Sequence, residues 1–384
     1  MRCGTVGALL LAGCGGISIS SDFEGGSLGA ARVVDGRWMC PVPGQADHEG
    51  RNRQITWYFF RIDGARGRRV DMTLTDLEGE YDYRPGAVGI TDATPPVVST
   101  DREHWTHLEA AAFDKSKKQL SYSLTAGGDS VWVAHVEPYT ASRLEEFLKP
   151  IPKEIVGRSV EGRPIYLLTI TNPAIPDEKK RVVWLMTRQH AWESGTSFAG
   201  EGAIKHMLSD EARELRDRVV FKIFPMLDPD GCAHGGVRFN RNGFDVNRNW
   251  DTADERRMPE IWHARKTMNA WLDSGRPIHL FVTLHNTETV EYLSGADPIG
   301  ARLFRLLKDS STFDPNDPGP RIPRDKPAPG RASVVDFVEP RAPAFLIEQR
   351  ISFNPRLGRH PTSTDRIEFG AQLARAMCRA ALQE

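Results

Sequence analysis

A histidine and a glutamate three residues apart, His190 and Glu193 in TRQHAWESGTS, stand where the apolar run RVVWLM stops and a helical pattern starts. An imidazole and a carboxylate on one strand-to-helix turn can converge on a metal ion or share a proton. By itself an H-x-x-E spacing says little, because most such pairs are surface chemistry. The company it keeps gives it weight. His285 ends HLFVTL, and Glu348 ends PAFLI. Arg238, Asn247 and Arg248 lie in DPDGCAHGGVRFNRNGFDVNRNWD, which follows VVFKIFPML. In open α/β sheets, ligands bind beyond the carboxyl ends of the strands. Two histidines and one carboxylate gathered there make a zinc set that leaves a position for water, the catalytic rather than the structural pattern. Each residue also has a plainer reading. His285 could be a satisfied core histidine, with His279 or His206 equally eligible as ligands. FDVNRNWD could be a polar turn, and Glu348 a buried partner for Arg350. Their shared place at strand ends favours the joint reading.

The elements that must hold these residues fall into two parts. From Ile17 to Glu137 short β-rich runs such as ISISSDF, ITWYFFRI and RRVDMTLTDL are separated by Gly, Asp and Pro, the pattern of an all-β sandwich. From residue 138 to 384 strands alternate with helical patterns, which predicts an α/β domain. Its strands are RPIYLLTIT, RVVWLMT, VVFKIFPML, HLFVTL and PAFLIEQ. Its helices are FAGEGAIKHMLSD, PEIWHARKTMNAWLDS, GARLFRLLKDS and DRIEFGAQLARAMCRAAL. One connection between Phe313 and Gly330 carries six prolines, and loops of that length often border a binding site.

Composition narrows the class of function. Across 384 residues, Lys plus Arg total 50 and Asp plus Glu 51, a balance that gives no electrostatic reason to expect nucleic acid. No apolar run reaches the roughly 18–20 residues of a transmembrane helix. Five scattered cysteines without a C-x-x-C pair argue against a disulfide framework and a thiolate zinc site. Residues 1–16 read in two ways. Leu11-Ala12-Gly13-Cys14 has the form of a lipoprotein signal, which would make Cys14 a lipid anchor on an exported protein. The alternative is a ragged apolar start on a cytoplasmic one.

Taken together, GRSVEGRPI, RQHAWES, PMLDPDG, GGVRFNRNGFDVNRNW, TLHN, PGRASVVDF and FLIEQR resemble the zinc metallocarboxypeptidases of the funnelin superfamily. They are most similar to its cytosolic-carboxypeptidase-like branch, which includes deglutamylases and bacterial relatives. The resemblance runs from about Ile17 to the C-terminus and implies a mixed-sheet α/β/α catalytic domain preceded by the β-sandwich. It implies His190, Glu193 and His285 as ligands of one catalytic Zn²⁺, and Glu348 as general base. It implies Arg238 for the oxyanion, and Asn247 with Arg248 for the terminal carboxylate of a peptide or protein substrate. Arg331, in PGR, resembles the basic residue that meets an acidic side chain in this branch, so preference for C-terminal Glu or Asp is expected. Two extra residues separate it from the Glu348 motif. Three departures stand out: Ala191-Trp192 replaces the usual Pro-Gly, DPDG replaces Asn-Pro-Asp-Gly, and no tyrosine follows Tyr292. Two other readings are an inactive relative that only binds C-termini, and an aspartoacylase-like deacylase of N-acyl amino acids.

Overall fold

The computed structural model describes residues 16–295, 297–321 and 327–383. The lipid-anchor expectation at Cys14 lies outside the described residues. Among them no helix is long and apolar enough to cross a membrane.

The β-rich part forms two five-stranded sheets. One contains Ser18–Ser20, Phe59–Asp63, Ser130–Ala134, Val97–Ser99 and Thr106–His107 in that spatial order. The other contains Ala112–Asp114, Gln119–Thr125, Arg69–Thr75, Arg37–Pro41 and Arg32–Val34. The alternation anticipated from sequence is visible in Gln119–Thr125, where Leu120, Tyr122 and Leu124 point inward and their neighbours do not. They meet Phe60, Ile62, Met72, Leu74 and Val133 in one core. A separate ribbon pairs Gly79–Tyr81 with Arg84–Ala87. It turns at Asp82 and Tyr83, both left-handed with φ of 50° and 64°, as a tight hairpin requires.

The second part is built on one mixed sheet of β1 (Glu154–Arg158), β2 (Pro164–Ile170), β3 (Arg181–Met186), β4 (Val219–Phe224), β5 (Leu280–Thr287), β6 (Tyr292–Ser294) and β7 (Ala344–Arg350). Their spatial order is β1-β2-β4-β3-β5-β7-β6. The inner four, β4-β3-β5-β7, run parallel, and the outer strands are antiparallel. Four long helices flank it: α1 (Ser194–Leu208), α2 (Pro259–Asp273), α3 (Pro298–Ser310) and α4 (Ser363–Leu382). Val183 and Leu185 of β3 join α1, α3 and α4 in one core, while Val182, Trp184 and Met186 join α2 in another. Burial on both faces is why β3 reads as an unbroken apolar run. Helices α1 and α4 touch backbone to backbone. A Cβ on Gly202 would meet the Ile367 carbonyl at 1.8 Å, and one on Gly370 would meet the Ala199 carbonyl at 1.9 Å. The two edge strands missing from the sequence reading are weak signals: β1 is bulged and exposed, and β6 has three residues.

Candidate active site

The turn between β3 and α1 is held from beneath by Arg188. This residue is buried and left-handed, with φ of 54°. Its Nε and Nη2 donate to the Ala191 carbonyl at 2.9 and 2.7 Å, and its Nη1 donates to Ser197 Oγ at 3.0 Å. Its own N–H donates to Thr196 Oγ1. Glu193 occupies the position before α1, but its carboxylate makes no capping bond. It is therefore free to face the other groups of the site.

Those groups converge. His190 Nδ1 lies 2.6 Å from Glu193 Oε1, and His285 Nδ1 lies 3.0 Å from Glu193 Oε2. One ligand atom from each of the three lies within 4.8 Å of the other two, and all three residues are buried. Burial would raise the Glu193 carboxyl, but the two imidazoles outweigh it and hold the group below its ordinary range. Burial also lowers His285, against the pull of Glu193, which favours the neutral ring that metal ligation needs. The far nitrogens are engaged as well. His190 Nε2 is 3.3 Å from Asp245 Oδ1, and His285 Nε2 is 3.0 Å from Thr283 Oγ1 and 3.1 Å from Gln189 Oε1. Such outer partners orient ligand rings. Two imidazoles and a carboxylate with oriented rings fit a zinc ion.

Above these residues opens a cavity of about 480 Å³, lined also by Arg238, Asn247, Arg248 and Glu348. Strand register explains part of this, since Glu348 of β7 pairs directly with His285 of β5. Burial and the charge of Glu193 push the Glu348 carboxyl well above its ordinary range, with Arg238 opposing. Its Oε2 is buried with no hydrogen-bond partner among the described residues. Arg238 donates through Nε to Asp245 Oδ2 at 2.5 Å. Burial disfavours its charge, yet Asp245 raises it above the ordinary guanidinium value. Asn247 accepts from the Val334 N–H, and its Nδ2 lies 3.3 Å from His285 Nε2. Arg248 donates to the Asn247 carbonyl.

Seven of the eight expected site residues therefore meet in one cavity. Arg331 is not among its lining residues. Its Nη2 donates to Asp82 Oδ1 at 2.7 Å, at the tip of the sandwich ribbon. The expectation that it reads an acidic side chain finds no support in this placement.

The β-sandwich is also part of the site. Gln54, Ile55, Thr56, Glu80, Tyr81 and Gly89 all line the cavity. The Tyr81 ring centre is 5.8 Å from the Arg238 guanidinium carbon, so a phenol does reach the site, from the other domain. Gln45 grips the Arg238 loop. Its Oε1 accepts from the N–H groups of Val237, Arg238 and Phe239 at 2.8, 2.7 and 2.9 Å, and its Nε2 donates to the Phe239 carbonyl at 2.6 Å. Trp192, the departure beside the metal turn, packs with Trp57, Phe59, Val237 and Ile351 between the domains. It both lines the cavity and reaches into the domain junction, 6.3 Å from the stacked His135 ring. Gln45, Tyr81, Gln189 and Asp245 were missed by sequence reasoning. Two of them had a signal: Asp245 is an acid three residues before Arg248 in a segment already marked as functional, and Gln189 stands beside His190 in RQHAWES.

Residues 151–297 match the family described as zinc carboxypeptidase, and residues 19–136 match the cytosolic carboxypeptidase N-terminal domain. Mouse cytosolic carboxypeptidase 3 is 28% identical over 273 residues, covering 61% of this chain and 26% of the mouse protein. Human cytosolic carboxypeptidase 2 is 36% identical over 261 residues, covering 61% of this chain and 29% of the human protein. The chain thus spans less than a third of either relative. A crystal structure of a metallo-carboxypeptidase from Burkholderia cenocepacia superposes with a TM-score of 0.81 at 25% identity, covering 96% of this chain and 99% of that one.

Proposed function

We propose that this chain, which joins a zinc carboxypeptidase domain to a cytosolic carboxypeptidase N-terminal domain, is a zinc-dependent peptide hydrolase that removes the C-terminal residue of peptides or proteins. One observation carries the reading: the buried His190, Glu193 and His285 triad lies in the cavity that also receives Glu348, Arg238, Asn247 and Arg248. A zinc ion held by the triad would supply Lewis acidity, polarising the scissile carbonyl and easing deprotonation of the attacking water.

The side chains account for the rest. Glu348, with an unpartnered buried oxygen, takes the proton from the attacking water and passes it to the leaving amine. Arg238, fixed by Asp245, presents a charge that cannot be neutralised to the developing oxyanion. A side chain already locked in place pays no reorganisation cost during the reaction. Arg248 offers a planar fork to the terminal carboxylate, and Asn247 stands beside it. That clamp confines cleavage to chain ends.

The test combines metal analysis with a panel of peptides differing in the last residue and a set of N-acyl amino acids, read by mass spectrometry. Wild type is expected to carry one zinc and release single C-terminal residues, and His285→Ala to lose both properties. Stoichiometric zinc and full activity in His285→Ala would overturn the ligand assignment. Turnover confined to N-acyl amino acids would replace the peptidase reading with a deacylase.

A further inference from the structure

Almost every charged group lining the cavity has a partner or a role. Arg238 is bonded to Asp245, Glu193 sits between two imidazoles, Arg248 faces the terminal carboxylate, and Glu348 handles the proton. Glu288 is left over. It lies one residue beyond β5 and lines the cavity. No described residue gives its carboxylate a side-chain partner.

The sandwich closes directly onto this carboxylate. A Cβ built on Gly89 would come 2.8 Å from Glu288 Oε1 and 2.5 Å from Thr56 Cγ2, so the approach depends on a residue without a side chain. Thr56 and Gly89 line the cavity beside Glu288. The sandwich brings one charged residue to the cavity, Glu80, and it too is an acid. The wall here is therefore negative, with no cation from the sandwich to balance it.

The direction of the substrate, taken from the carboxypeptidase reading on which this inference rests, says which part of a peptide meets that wall. With the terminal carboxylate at Arg248 and the reacting carbonyl at Arg238 and the triad, the preceding residue must continue past Arg238. Glu288 shares the cavity with Arg238 and the triad, on the wall closed by Thr56 and Gly89 of the sandwich, within the space open to that upstream stretch. Burial pushes its carboxyl above the ordinary range. A half-buried acid with no cation bonded to it is unfavourable, and an arriving cation relieves that cost through a charge-assisted hydrogen bond.

We propose that Glu288 forms an upstream subsite for a cationic amine or guanidinium, so that the enzyme favours substrates with a positive charge on the residue before the scissile bond. Two sources share this chemistry: the α-ammonium of a dipeptide and the side chain of an upstream Lys or Arg.

The experiment uses the zinc-loaded full chain and one fixed C-terminal residue. One arm compares a free dipeptide with its N-acetyl form. The other compares N-acetyl tetrapeptides with Lys or Nε-acetyl-Lys before the last residue. A kcat/KM ratio of at least tenfold for charged over acetylated is expected in one arm, and that arm identifies the source. Glu288→Gln should bring the ratio below threefold, while Glu288→Asp, which retains the charge, should keep its direction. Ratios below threefold in both arms of wild type, or a ratio that Glu288→Gln retains, would overturn the subsite. Calorimetric binding of the same peptides to Glu348→Gln protein separates this from the peptidase reading. A Glu288-dependent binding preference without hydrolysis by wild type would support the subsite and refute the peptidase. Hydrolysis without any charge preference would do the reverse.

Discussion

Replacing Gln45, a residue of the N-terminal sandwich, should slow chemistry performed in the other domain. Gln45→Ala removes four hydrogen bonds to the loop that carries Arg238, three of them donated to the single Oε1 atom. At about 0.5–1.5 kcal/mol net each, four independent bonds would total roughly 2–6 kcal/mol. Three share one acceptor, and Gln45 is only half-buried, so water can replace part of what is lost. The lower end applies, about 2–3 kcal/mol. If that energy holds Arg238 where charge develops, kcat should fall roughly 30- to 150-fold, at about 1.4 kcal/mol per tenfold. Gln45→Glu keeps the acceptor for the three N–H donors and should lose less. The assay is steady-state kinetics with zinc content and thermal unfolding measured on the same preparations. A kcat within threefold of wild type at full zinc occupancy would refute the clamp. A loss of activity matched by loss of zinc, or by unfolding at the assay temperature, would mean that Gln45 supports the fold and not Arg238.

Glu348→Gln keeps the shape of the side chain but cannot accept the proton, so kcat should drop at least about 10²-fold while zinc content holds. Retained turnover would remove Glu348 from the chemistry. Arg331→Ala breaks an ion pair whose side chains are 37% and 40% exposed, and such pairs contribute roughly 0–1 kcal/mol. Its effect on kcat/KM should stay within about fivefold for every C-terminal residue, as that energy allows. A much larger loss confined to Glu-ending peptides would show that Arg331 leaves Asp82 and enters the cavity with substrate.

How far the sequence could be read depended on the range of each interaction. Apolar runs mark β3, β5 and β7 because these strands are buried in the sheet. Placing candidate ligands and acids at their carboxyl ends follows once the parallel sheet is assumed, and His285 and Glu348 pair in register. The sandwich was legible for the same reason, through alternation as in Leu120, Tyr122 and Leu124. What the sandwich does was not. The bonds from Gln45 span 192 to 194 residues of chain and leave no local pattern. Tyr81 and Gly89 look like ordinary hairpin residues until the fold sets them against Arg238 and Glu288. Arg331 is the converse case. Its motif matched within a linear segment, but the guanidinium was taken up by Asp82, a partner 249 residues away. Trp192 was visible as a departure beside the metal turn, but its packing into the domain junction was not. The candidate triad can thus be read from one domain alone, but the walls of its cavity belong to both. That difference in range is why the candidate triad was legible in the chain while the sandwich side of its cavity was not.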